Sequence, residues 1–280
     1  MNKKYVGDGK VVLIAGGGKI YTDLAARFVG SERSLDEIIA SPYSKEIVLK
    51  IINSGHKAAL EFDFFIFGVE GYSRVTEVQL VRKRIASYMI KSGRTEKQGK
   101  RSFDIVIPKN IEKNKLPYKL PIGQLTLSNG TPLQNYLPQG ENELCYHCGI
   151  DEILDIMEKW YMAGIERGIL EEELRYLKPQ ATEFKALIGM NAHALNDWFS
   201  IRCCKRAQTE IRDLANKMLK LCKKAAPDLF THAGPNCKIL GYCPENEMQH
   251  EDCKGKQITK DAAMKLIKQA LKKQPKGLSD

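Results

Sequence analysis

The sequence predicts a mixed fold of the α/β (α+β) class, with long helices packed on a sheet, and three observations predict it. The apolar run VVLIA at residues 11–15 ends abruptly at Gly16, Gly17 and Gly18. The Phe-rich, partly alternating run EFDFFIFGV spans Glu61 to Val69. From Asp151 onward the apolar residues recur mostly at threes and fours, the spacing of one helix face. With 280 residues and 43% hydrophobic content, the chain is long enough to bury one large core.

VVLIA reads as a buried strand, and the glycines after it as a plain turn. GGGKI lacks the Gly, four residues, then Gly-Lys-Ser/Thr of a phosphate loop. Tyr21 to Val29 reads as a short helix, and Leu35 to Asn53 as a helical region interrupted at Ser41-Pro42 and stopped by Ser54-Gly55. EFDFFIFGV suits a half-buried strand. The next helix is expected from about Ser73 to Ser92, with Gly93 free to take a left-handed cap. Pro108, Pro117, Pro121, Pro132 and Pro138 make residues 101–150 a loop-rich excursion with short strands. Within Thr182 to Lys224, the residues Phe184, Leu187, Ile188, Leu195, Trp198, Phe199, Ile211, Leu214 and Met218 predict helices at the centre of the core. Residues 1–235 are therefore read as the main domain. Residues 236–280 form a Cys-containing, Lys-rich extension ending in the helix ITKDAAMKLIKQALKK.

No run approaches the roughly 18 apolar residues of a membrane span, and the N-terminal stretch lacks the features of a signal peptide. A cytoplasmic protein without membrane contact is the expectation. The formal charge of +10 invites a nucleic-acid reading, but the segment from Lys254 onward holds eight Lys against Asp261 and Asp280. That excess sits in a tail without interleaved aromatics, so nucleic acid is not an expected partner. The eight cysteines read as reduced thiols, because a chain of this size needs no staples. Cys145-x-x-Cys148 around His147, together with Cys237, Cys243, His250 and Cys253, offers enough donors for one zinc site. The second set matches no standard knuckle, so ordinary thiols and no metal are expected. Cys203 and Cys204 read as small core residues.

The stretch QLVRKRIASYMIKSGR, from Gln79 to Arg94, holds Arg82, Lys83, Arg84, Lys91 and Arg94. On a helix the three consecutive cations would fan around more than half the circumference. Either their long stems snorkel to water, or at least one enters a pocket and meets an anion, since a buried unpaired guanidinium costs several kcal/mol. Downstream, Asn191, Leu195, Trp198 and Arg202 fall on one helical stripe, which puts Arg202 in line with a core Trp.

RKRIASYMIKS resembles the signature of the flavin-dependent thymidylate synthases, which runs Arg-His-Arg, seven residues, then Ser; here the seven are Ile85 to Lys91. The flanks fit too. GHKAALEFDFFIFGVEGYSR is similar to the family's His-to-Glu segment, strand and Ser-Arg, while LRYLKP and NAHALNDWFSIR are similar to its second block. The resemblance covers roughly residues 10–225 and implies an antiparallel sheet packed with long helices. It also implies a homotetramer, or pairing with a paralogous subunit, that binds FAD and converts dUMP to dTMP. Methylenetetrahydrofolate would supply the carbon and NADPH the reducing equivalents.

Carried over position by position, the resemblance assigns Gln79, Arg82, Ser92, Gly93, Arg94, Arg175 and Arg202 to the nucleotide, with Arg202 as the catalytic residue. It assigns His56, Arg82, Lys83, Arg84, Asn191 and His193 to the cofactor. Ser92 would position the ligand rather than attack it. The flavin side departs from the pattern. Lys83 stands where His is usual, Ala58 for Ser or Thr, Met89 and Ile90 for Asn and Glu, Thr95 for Tyr, His193 for Arg and Asp197 for Asn. His56, Glu61 and Asn191 match. An altered-specificity or non-catalytic nucleotide-binding paralogue is the alternative expectation.

Overall fold

The computed structural model describes residues 2–91, 103–113, 116–121, 126, 128–132 and 143–273. Its strands are β1 (Asn2–Tyr5), β2 (Lys10–Ala15), β3 (Phe64–Ser73), β4 (Ser87–Ile90), β5 (Asp104–Ile107), β6 (Leu116–Pro121), β7 (Glu143–Cys148) and β8 (Glu183–Asn191). Its helices are α1 (Thr22–Gly30), α2 (Leu35–Ala40), α3 (Lys45–Ser54), α4 (Arg74–Leu80), α5 (Lys109–Lys113) and α6 (Ile150–Glu166). They continue with α7 (Glu171–Leu174), α8 (Ala192–Arg202), α9 (Thr209–Ala225), α10 (Asn236–Leu240) and α11 (Lys260–Lys273). The expected mix of helices and sheet is present. Two compact units divide the chain: Met1–Val6 with Ser92–Glu183, and Gly7–Lys91 with Phe184–Asp280.

The second unit carries the four-stranded sheet, in the order β2-β3-β8-β4, with β2 antiparallel to β3 and β4 antiparallel to β8. Phe65, Phe67 and Val69 of β3 and Ile188 and Met190 of β8 pack against Leu195, Trp198 and Phe199 of α8. Ile211, Leu214 and Met218 of α9 close the same core. Phe230 stands edge-on to Phe65 and Phe199, with ring centroids 5.3 and 6.1 Å away. In the first unit β1 pairs in parallel with β5, β6 pairs antiparallel with β7, and Phe103, Ile105 and Ile107 pack on Leu154, Tyr161 and Leu174.

Three sequence expectations are corrected. Residues 11–15 are half-buried rather than buried: Val11 and Leu13 face the core, while Val12 and Ile14 are 44% and 58% exposed on the other face. Residues 183–191 form a strand, because Phe184, Ala186, Ile188 and Met190 alternate inward and period two prevails over the threes and fours.

The helix expected to run to Ser92 stops at Leu80. The Tyr88 hydroxyl donates to the carbonyls of Leu80 (2.9 Å) and Lys83 (3.1 Å), which folds the chain back. Tyr88 and Ile90 then pack on the core while Ser87 and Met89 face outward along β8. Gly93 therefore caps no such helix; Ser92, Gly93 and Arg94 lie outside the described residues.

The triple-glycine turn is a close approach between backbones. Gly17 has φ +78°, and a Cβ added there would stand 2.8 Å from the backbone of Ala225 at the end of α9. Gly17→Ala is expected to lower stability by more than about 1 kcal/mol, and Phe230→Ala by about 3–5 kcal/mol. Urea midpoints at constant slope measure both.

Candidate active site

The junction between β8 and α8 positions most of the site. Asn191 caps α8 through its Oδ1, which accepts the Ala194 N–H at 2.7 Å. The next N–H, from Ala192, donates to the Asp63 carbonyl at 2.7 Å. The buried Asp63 carboxylate accepts the N–H groups of Tyr21 (2.8 Å) and Thr22 (3.0 Å) and the Thr22 hydroxyl (2.5 Å). One residue thus fastens the starts of α1 and α8 to the chain entering β3. From that fixed start, His193 and Asp197 lie one turn apart on α8, and Arg202 ends the helix.

Around His193 and Asp197 a charged cluster assembles from three segments. His193 Nδ1 is 3.2 Å from Glu61 Oε1, and its Nε2 is 3.5 Å from Asp197 Oδ2. Lys83 Nζ, from the turn after α4, reaches Asp197 at 3.9 Å, and Lys57 reaches it at 3.4 Å. Two of the expected cofactor residues, Lys83 and His193, are therefore joined through Asp197. Asp197 and Glu61 were not expected site residues, although they tie this cluster together. Their only sequence signal was a departure from the family pattern at Asp197 and a match at Glu61.

The second cluster is cationic. Arg202 is half-buried and donates from Nη2 to the Gln79 carbonyl at 3.3 Å. Burial and the neighbouring Arg82 guanidinium push its pKa below the ordinary value. Among the described residues, no carboxylate pairs with Arg82 or Arg202. The Gln79 side-chain Nε2 donates to the Gln208 side-chain Oε1, which links the end of α4 to the start of α9. Two guanidiniums brought together without an anion form a receptor for one.

The structure brings Gln79, Arg82 and Arg202 together, and separately Lys83 and His193; Asn191 serves as the helix cap. His56 and Arg84 are exposed, and neither has a charged partner among the described residues. Arg175 belongs to the first unit, in the short turn Arg175–Leu177.

A family model described as thymidylate synthase complementing protein matches residues 20–228. The flavin-dependent thymidylate synthase of Clostridium tetani is 37% identical over 233 residues, covering 80% of this chain and 85% of that protein. The enzyme of the same description from Geobacter sulfurreducens is 33% identical over 228 residues, again covering 80% and 85%. Among solved structures, a UMP/dUMP methylase from Streptomyces cacaoi bound with 5-Br dUMP superposes with a TM-score of 0.61 at 17% identity. It covers 84% of this chain and 98% of that one, which establishes the shared fold.

Burial pushes the Tyr88 hydroxyl up to about 12 from its ordinary 10, and burial with Asp213, which accepts the Tyr72 hydroxyl at 2.9 Å, pushes Tyr72 up as well. The stability that the neutral Tyr88 phenol contributes is complete below about pH 10 and is lost as pH rises through about 12. Urea midpoints from pH 8 to 12 should fall above pH 10. Tyr88→Phe should lose about 1 kcal/mol at pH 8 and show a shallower fall.

Proposed function

Because the chain belongs to the flavin-dependent thymidylate synthase family, we propose that it methylates dUMP to dTMP with FAD as its flavin. Methylenetetrahydrofolate would serve as carbon donor and NADPH as reductant. The observation that carries this reading is the convergence of Arg82 and Arg202 beside Gln79, with no carboxylate paired to either among the described residues. A nucleotide supplies the missing negative charge, through its phosphate or its ionised base.

The polar residues of the neighbouring cluster fit part of FAD. Lys57 and Lys83 form a basic rim suited to a diphosphate, to which Arg82 and Arg84 would add their charge. The His193 ring, held between Glu61 and Asp197, is the planar polar group available to an isoalloxazine edge. When bound, the flavin supplies the redox chemistry of the methylation.

The chain's own residues carry the rest. Arg202 stays charged near neutral pH, because a guanidinium titrates far above it even when lowered. It faces the negative charge that develops as the pyrimidine imide loses its proton, and so raises electron density at the carbon to be methylated. The Asn191 cap and the Asp63 tether hold the α8 backbone, so Arg202 acts from a fixed position. Ser92, Gly93, Arg94 and Arg175 complete the nucleotide contacts in this proposal. The enzyme works as a homotetramer, in the cytoplasm, with some contacts supplied by neighbouring subunits.

One observation favours a second reading, a paralogue of altered specificity or without catalysis. Lys57 and Lys83 already share the Asp197 carboxylate, so a flavin diphosphate must displace or extend those pairs. Tritium release from ring-labelled dUMP separates the two. Release that requires FAD, folate and NADPH supports the first reading, and tight dUMP binding without release supports the second. Arg202→Lys should lower kcat by about 10²–10³-fold while leaving the bound-flavin spectrum unchanged. Undiminished turnover in that variant removes Arg202 from the chemistry.

A further inference from the structure

Beyond the thymidylate chemistry lies a group of thiols that the catalytic reading leaves without a task. Cys204, Cys237, Cys243 and Cys253 all line one cavity of about 420 Å³ at the C-terminal end of α8, and none is in a disulfide. Each arrives on a separate piece of backbone. Cys204 follows Arg202, and Cys237 lies in the first turn of α10. Cys243 is pinned by its N–H to the Ile258 carbonyl (2.8 Å) and by its carbonyl to the Lys260 N–H (2.9 Å). Cys253 closes a short turn, its N–H donating to the His250 carbonyl at 2.8 Å. Cys237 lies within electrostatic reach of Cys204, Cys243 and Cys253, in keeping with their shared cavity.

This grouping differs from the one expected from spacing. The compact pair Cys145 and Cys148 lies on β7 in the first unit. Cys204, read as a core residue, is only half-buried and joins the extension's three cysteines at this cavity; the buried Cys203 lines it as a fifth thiol, on the same stretch of backbone as Cys204. Among the described residues no three donors already stand as a ligating set, so the thiols would have to rotate inward to meet a metal.

We propose that Cys204, Cys237, Cys243 and Cys253 form a structural site for Zn²⁺ that staples the C-terminal extension to the end of the Arg202 helix. Four thiolates match zinc in number, softness and tetrahedral preference, and leave no open position for catalysis. Each thiol releases its proton as its sulfur binds the metal, so zinc uptake weakens as pH falls. Lys205 and Arg206 line the same cavity and already tie the end of α8 to the extension through Asp252 and Glu245. His250 is not a needed ligand, since its Nδ1 accepts the Asp252 N–H at 3.1 Å. Zinc here would fix residues 236–258 against the segment that leaves α8, two residues from the guanidinium of Arg202.

Reduced full-length protein, purified without chelator and desalted, should retain one zinc per chain by elemental analysis. Titration of the stripped protein with Co²⁺ should give the visible d–d bands of a tetrahedral thiolate site and release protons. Cys204→Ser and Cys253→Ser should each lower retained zinc at least fivefold, while Cys203→Ser and a Cys145→Ser/Cys148→Ser double variant retain it. The proposal is overturned if the reduced wild-type chain neither retains zinc nor gives cobalt–thiolate bands, a readout independent of whether any variant folds. Loss of zinc only in the Cys145/Cys148 variant, or an iron–sulfur absorbance in place of zinc, overturns it equally.

Discussion

The position of α8 depends on Asp63. Its carboxylate takes two backbone N–H groups and a hydroxyl at the start of α1, and its carbonyl takes the first free N–H of α8. A carboxylate buried with three donors is satisfied, and the helix start it fixes leaves few backbone groups unmet. His193, Asp197 and Arg202 are then placed by helical geometry alone, one face serving the charged cluster and the end serving the cationic pair. The buried side of the same helix, Leu195, Trp198 and Phe199, sets its depth against β3 and β8.

Two electrostatic environments sit along this helix and differ in kind. Around Asp197, Lys57, Lys83 and His193 meet two carboxylates at the surface, where water screens such pairs and each contributes little to stability. A ligand can rearrange them at small cost. Around Arg202, charge is concentrated: partial burial and a second guanidinium raise the cost of the unliganded state, and that cost is recovered when an anion binds. The first cluster suits exchange of partners, and the second suits selective capture of a charged substrate.

Much of this was legible in the sequence, for reasons tied to particular residues. The break at Ser41-Pro42 separates α2 from α3 as expected, and Gly55 closes α3 in the left-handed conformation. Arg82 and Arg202 were selected through a sequence block and a helical stripe, and they meet. The helix reading failed at residues 81–90, because charge and apolar spacing compatible with either period were overridden by one buried tyrosine hydroxyl and pairing with β8. It failed again at residues 183–191, where Leu187 and Ile188 mimicked a helix face in a strand. Asp197 and Glu61 escaped because their role exists only once the short turn Lys57–Phe62, the turn after α4 and α8 are brought together. Cys204 escaped because adjacency to Cys203 made both look like packing.

What remains is whether the two clusters along α8 hold a flavin next to a nucleotide. The absorbance spectrum of the desalted full-length protein, recorded before and after FAD titration with and without dUMP, tests this most directly. The account predicts a retained or restored flavin band, with its shape perturbed by dUMP as the nucleotide binds beside Arg82 and Arg202. A protein that binds dUMP but neither retains nor takes up FAD would contradict it.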